Sequence, residues 1–193
     1  MENKYFALGA LDPKVDLRDY SYEPEVALAA ELPETFELWT PKVKNQGVVG
    51  SCVAHTAAEI EEYFNHIEGK PHKDLSVGFI YGCRYDYKGE GMYLRDALKT
   101  LAKRGVVEHE EFPYNKEVPI IIDMFNEQDQ VGWLTDWQHR ISTYFNIKGK
   151  GQDLQDKVKR CLMNNGPVMM SVPWYKDFIV DNGIIRSPSG TQC

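Results

Sequence analysis

Val53, Ala57, Ile60 and Phe64 stand at i, i+4, i+7 and i+11, one apolar stripe that commits residues 52–68 to an amphipathic helix. Glu59, Glu61 and Glu62 lie mostly off that stripe. Gly50-Ser51 is the start signal, with Ser51 expected as the cap, and Gly69-Lys70-Pro71 is the stop. The run from Thr40 to Cys52 is a polar loop without period, and it delivers a cysteine into the first turn of this helix. Unpaired backbone N–H groups at a helix N-terminus favour negative charge, so a thiolate is stabilised there and acts as a nucleophile. Gln46 lies six residues before Cys52. Its amide can swing beside the thiol and donate to an oxyanion, together with the Cys52 backbone N–H. Most cysteines are small core fillers. Cys83, in a Tyr-rich run, and Cys161, which completes a helical stripe, are assigned to that class.

A second helix is expected over about 93–103, burying Leu94, Ala97, Leu98 and Leu101, with Lys103, Arg104 and Gly105 suiting its C-terminal end. A third covers about 154–163, with Leu154, Val158, Cys161 and Leu162 inward, and Asn164-Asn165-Gly166-Pro167 ends it. Val168 to Val172 reads as a buried strand. Helices first and a strand near the end imply an α+β chain with a helical half and a sheet half. Residues 1–32 mix charge, Pro and Tyr without a helical or strand period, and Val26 to Leu32 allow a turn or two of helix. This segment is read as an arm or short leader that docks on the body, most simply along an outer face, the alternative being an extended groove that it would block.

Composition narrows the partners. Asp plus Glu outnumber Lys plus Arg by 29 to 22, a net charge of −7, which argues against nucleic-acid binding through bulk charge. No run approaches the ~18–20 apolar residues of a membrane span. The start lacks the basic-then-apolar order of a secretory signal. The four cysteines include no CxxC pair, and there is no N-x-S/T sequon. Free thiols in a reducing, cytoplasmic setting are expected. The histidines show no HxxxH or HExxH spacing, and Gly149-Lys150-Gly151 lacks a P-loop frame, so no metal and no cofactor is expected.

Val43-Lys44-Asn45-Gln46-Gly47 followed by Gly50-Ser51-Cys52 resembles the active-site segment of papain-like cysteine peptidases, V-K-N-Q-G and then G-S-C, with the same Gln-to-Cys spacing. Leu75-Ser76 with Cys83, Gly91 through Gly105, and Phe112-Pro113-Tyr114 resemble later family segments in the family's order. So do Asn165-Gly166-Pro167-Val168, Asp177-Phe178 and Gly183-Ile184-Ile185. Asp12-Pro13 and Asp16 to Tyr20 look similar to the short leader of a bacterial branch.

The resemblance implies a two-domain α+β fold. Residues 33–140 would form the helical domain, and residues 141–193 the start of an antiparallel sheet or barrel domain. It implies Cys52 as nucleophile and Gln46 as oxyanion donor. Gly91 and Met92 would bind an extended substrate backbone, with Leu94 and Ser171 near the second specificity pocket. The substrate would be a peptide or protein. Two departures stand out. Val49 stands where secreted members place a disulfide cysteine, and Val53 and His55 replace aromatics. His55 is read as structural, because a residue three along the same helix projects from the buried stripe or its edge. The family's His and Asn are expected after the Gly183 segment and are not found, so a companion segment or chain is expected to carry the His, and this chain alone is expected to be inactive. The alternatives are a non-catalytic peptide-binding homologue and a papain-fold acyl transferase or deamidase.

Overall fold

The computed structural model describes residues 9–12, 16, 19–23, 32–84, 89–115, 139–175, 180–181 and 184–185. Three helices build the core: α1 (Cys52–Ile67), α2 (Val77–Gly82) and α3 (Leu94–Lys103). α1 presents Val53, Ala54, Ala57 and Ala58 to Phe79, Ile80 and Tyr81 of α2 and to Ala97 and Leu101 of α3. The alanines keep that side of α1 thin, so its neighbours approach closely. Leu75, Met92, Val106 and Val107 close the cluster from the connecting segments. α2 has no long period to announce it. Ser76 caps it, its hydroxyl accepting from the Phe79 N–H at 3.0 Å.

α1 is buried more widely than its stripe implies. Glu61 and Glu62 are only 1% and 2% exposed. Glu62 is satisfied: Oε1 accepts from the Leu75 N–H at 2.8 Å and pairs with Lys44 Nζ at 2.8 Å. Glu61 lies beside Asn65, with Lys70 offsetting its burial only in part, and its Oε2 has no hydrogen-bond partner among the described residues. Burial pushes the Glu61 carboxyl up to about 7. Asn65 in turn reaches His139 Nδ1 at 3.1 Å, and the His139 backbone carbonyl accepts from Val106 N at 2.9 Å.

α3 starts one residue after the expected Tyr93 and buries Ala97, Thr100 and Leu101, with Leu94 and Leu98 half-buried. α4 (Gly151–Asn164) begins three residues before the expected Leu154 and buries Cys161. At its end Gly166 has φ +99, and a Cβ there would stand 2.9 Å from the Tyr63 ring. Glycine is what lets the turn after α4 close onto α1. The expected buried strand at Val168–Val172 is not found: the segment carries no ladder, and Met170, Ser171 and Val172 are exposed. Apolar content alone does not bury a strand when no neighbour is paired to it. Regular sheet among the described residues is confined to β1 (Val180–Asp181) and β2 (Ile184–Ile185). They pair antiparallel, Val180 opposite Ile185 and Asp181 opposite Ile184.

The arm docks on the body. Ala10 bridges Met92 in parallel, Arg95 of α3 pairs with Asp16 and Asp19, Ser21 bridges Asn146, and Tyr22 stacks on Phe145 at 4.9 Å. The helical turn expected at 26–32 lies outside the described residues except for Leu32. Tyr5, Phe6, Leu8, Leu17, Asp177, Phe178, Gly183 and Cys193 also lie outside them.

Glu61 carries a testable pH dependence. Its folded value lies above the 4.5 of an ordinary glutamate, so the folded state holds the proton more tightly. The stability it contributes is fully present below pH 4.5 and is lost as pH rises towards about 7. Glu61→Gln should remove that loss. The variant's advantage in urea unfolding should grow by about 2–3 kcal/mol between pH 5 and pH 7.5. A constant gap across that range would contradict the assignment.

Candidate active site

The loop before α1 is held by its own backbone and by three outside contacts. Gly47 N donates to Asn45 Oδ1 at 2.9 Å, a local turn that reverses the chain after Gln46. The Val49 carbonyl then gathers the loop, accepting from Gln46 Nε2 at 3.1 Å and from Ser51 N at 2.8 Å. Gln46 and the residue before Cys52 thus close on one acceptor. Cys52 is the first residue of α1 and is half-buried.

Lys44 makes the first outside contact, with Nζ on buried Glu62 and on Asp74. The Glu62 carboxylate belongs to the third turn of the helix that Cys52 begins. The second contact is Tyr114, whose hydroxyl lies 2.8 Å from the Gln46 carbonyl and 2.6 Å from Ser51 Oγ. The third is the arm. A Cβ on Gly9 would fall 1.9 Å from the Gly50 carbonyl oxygen, so only glycine permits that backbone contact.

Ser51 does not cap α1 as expected. Its side chain makes no cap bond and turns inward, fully buried, to Tyr114 and to His55 Nδ1 at 3.3 Å. The donors in this cluster can be assigned. Carbonyls only accept, so Tyr114 O–H donates to Gln46 O, and His55 Nδ1–H donates to Ser51 O at 3.0 Å. With the Tyr114 proton on Gln46 O, Ser51 O–H is shared between the Tyr114 oxygen at 2.6 Å and the Val49 carbonyl at 3.4 Å. His55 Nε2 is left buried without a partner. Protonating it would place a charge in that setting, and burial lowers the His55 pKa accordingly. His55 is therefore a neutral, inward-facing group tied to Ser51.

The other histidines are engaged elsewhere. His66 stacks on Trp39 at 3.9 Å, and His139 meets Asn65. His109 N donates to the Asp74 carbonyl, and His72 is exposed.

Gly91 and Met92 are buried beside this loop. Met92 N donates to Gly9 O at 2.8 Å, and Leu11 N donates to Met92 O at 3.1 Å. Gly9 touches both Gly50 and Met92, so it joins the Cys52 loop to the Gly91-Met92 segment. Residues 9–11 meet Met92 through one isolated parallel bridge, with Ala10 exposed. Leu94, the first residue of α3, is half-buried against the core. Ser171 is exposed on the segment 166–175, and no hydrogen bond among the described residues ties it to this group. Sequence reasoning used Tyr114 only as a landmark and gave Lys44 no role. Their partners lie 68 and 30 residues away, and no local spacing reports such pairs.

Residues 32–193 match the family described as papain family cysteine protease. The chain is 26% identical over 179 residues to a cysteine protease of Blomia tropicalis, covering 85% of this chain and 50% of that protein. It is 29% identical over 183 residues to cathepsin O of Homo sapiens, covering 86% and 51%. The chain thus spans about half the length of the curated relatives it matches. The crystal structure of xylellain, a cysteine protease from Xylella fastidiosa, superposes with a TM-score of 0.69 at 26% identity, covering 84% of this chain and 65% of that one.

Among the described thiols, burial pushes Cys83 up to about 11 and also raises Cys161. At neutral pH their thiolate fractions are small, about one in ten thousand for Cys83. Limiting iodoacetamide at pH 7 should therefore alkylate Cys52 ahead of both, as read by peptide mass mapping. Preferential labelling of Cys83 or Cys161 would contradict this.

Proposed function

The chain belongs to the papain family of cysteine proteases, and from that membership we propose that it carries the nucleophile half of a peptide-bond hydrolase. The observation that carries the reading is the placement of Cys52 at the N-terminus of α1, with Gln46 and Ser51 closed on the Val49 carbonyl. Cys52 Sγ attacks the scissile carbonyl carbon. A C–S bond forms, and the carbonyl π pair moves to oxygen. The Gln46 amide and the Cys52 N–H donate to that oxyanion as the Gln46–Val49 contact gives way. The C–N bond breaks as an imidazolium protonates the leaving amine, and water hydrolyses the thioester. The His55 imidazole is tied to Ser51, and those of His66 and His139 to Trp39 and Asn65, so we assign the catalytic imidazole to a companion segment or chain, without which these 193 residues are inactive. A papain-like sheet domain built onward from residue 141 would face the nucleophile helix across the cleft, with Ser171 and Leu94 near its second specificity pocket. The setting is cytoplasmic.

Substrate binds as an extended strand on Gly91-Met92. The arm supports this, because residues 9–11 already use the Met92 N–H and carbonyl as a strand would. The arm must leave before a substrate can pair there. The same pairing favours one second reading, a peptide-binding homologue without catalysis.

The test is turnover of peptide substrates with and without the companion segment that carries the His. Turnover should need that segment, vanish in Cys52→Ala, and rise severalfold in Gly9→Ala, whose methyl group collides with Gly50. Full turnover by the 193-residue chain alone, lost in His55→Ala, would place the base inside the chain. Peptide binding without turnover in the assembled protein would favour the non-catalytic reading.

A further inference from the structure

We propose that Tyr114 is a positioning residue for the oxyanion site, its hydroxyl tying the Gln46 end of the nucleophile loop to the Ser51 end. This rests on the peptidase reading above and assigns a residue to the same site. The loop from Gln46 to Cys52 carries both proposed oxyanion donors, the Gln46 amide and the Cys52 N–H. The described bonds that close it internally converge on the Val49 carbonyl. Tyr114 adds a rigid cross-brace, giving a proton to Gln46 O at 2.8 Å and accepting one from Ser51 Oγ at 2.6 Å. The hydroxyl thus sets the separation between the backbones that bear the two donors.

The brace is itself fixed. The Tyr114 ring meets His55 edge-on at 4.9 Å, an interplanar angle of 88°. His55 holds the Ser51 carbonyl from the same side at 3.0 Å. Burial raises the Tyr114 pKa, which keeps the phenol protonated and able to donate. Burial lowers the His55 pKa, which keeps the imidazole neutral and Ser51 in place. The His55 imidazole therefore acts in support of Tyr114 and takes no part in proton transfer. An oxyanion donor acts only within a few tenths of an ångström of its proper place, so losing the brace acts on the charged intermediate more than on the thiol.

Two probes separate those effects. A peptidyl aldehyde adds to Cys52: the S–C bond forms, the carbonyl π bond opens, and the thiol proton ends on the new hydroxyl oxygen, which occupies the oxyanion site. Iodoacetamide alkylates the same sulfur and needs no oxyanion. Tyr114→Phe keeps the ring against His55 and removes only the hydroxyl. In the chain assembled with its companion segment this variant should bind the aldehyde about tenfold more weakly while the iodoacetamide rate at Cys52 stays within twofold. Amide hydrogen exchange at residues 47–51 should rise. Ser51→Ala leaves the Tyr114 bond to Gln46 in place and is a second variant should Tyr114→Phe fold poorly. It should lose less aldehyde affinity than Tyr114→Phe, or, if that variant does not fold, between twofold and tenfold. Equal losses with both probes, or no change in either, would overturn the positioning role and leave the peptidase reading standing. An unmodified chain that, assembled with its companion segment, forms no aldehyde adduct at Cys52 yet is alkylated there would overturn the peptidase reading and the positioning role with it.

Discussion

The Glu62 carboxylate is the constraint on which the rest of the site depends. It is 2% exposed, and a carboxylate so buried must be neutralised and hydrogen-bonded or it destabilises the fold. Both needs are met from outside α1, by Lys44 Nζ and by the Leu75 N–H. Lys44 lies two residues before Gln46, and Leu75 leads through Ser76 into α2. One buried charge therefore fixes the loop before Cys52 and the α1–α2 connection to the same helix. Because Cys52 begins that helix, the loop before the cysteine is tied back to the element after it. Gln46 and Cys52 are then held to one body.

The arm adds a second tie, of another kind. Its contacts run from Gly50 and Met92, through Arg95 on α3, to Phe145 and Asn146 ahead of α4. Few of these are large apolar burials, and Tyr20 within the run is 78% exposed. The attachment relies on two short bridges, an Arg95–Asp ion cluster and one ring stack. Such contacts are individually worth about 1 kcal/mol or less when partly exposed. A segment held this way can be displaced by another extended segment that offers the same backbone pairing with better side-chain contacts.

The sequence made some of this legible. The stripe Val53, Ala57, Ile60 and Phe64 located α1, and the spacing of Gln46 from Cys52 marked the loop, because both signals are local. α2 escaped because six residues are too few to show a period. The acids of α1 were read as lying mostly off the apolar stripe, and the burial of Glu62 escaped because its partner Lys44 lies 18 residues away. Ser51 followed the statistics of capping residues, yet a half-buried phenol and a buried imidazole outcompeted the helix end for its hydroxyl. Val168 to Val172 looked like a core strand by composition, but strand burial is decided by a neighbour that composition does not name. The arm carried no period, and its place on Met92 is decided by the absence of a side chain at Gly9.

Unfolding of Glu62 variants in denaturant tests the central claim most directly. Glu62→Ala leaves Lys44 without its buried partner and the Leu75 N–H without an acceptor, and it should cost about 3 kcal/mol. Glu62→Gln keeps an oxygen for Leu75 and should fall between that variant and the unmodified chain. Exchange at the amides of residues 44–50 should rise in the same order. A Glu62→Ala chain within about 1 kcal/mol of the unmodified protein, the cost of an ordinary surface pair, would contradict the account.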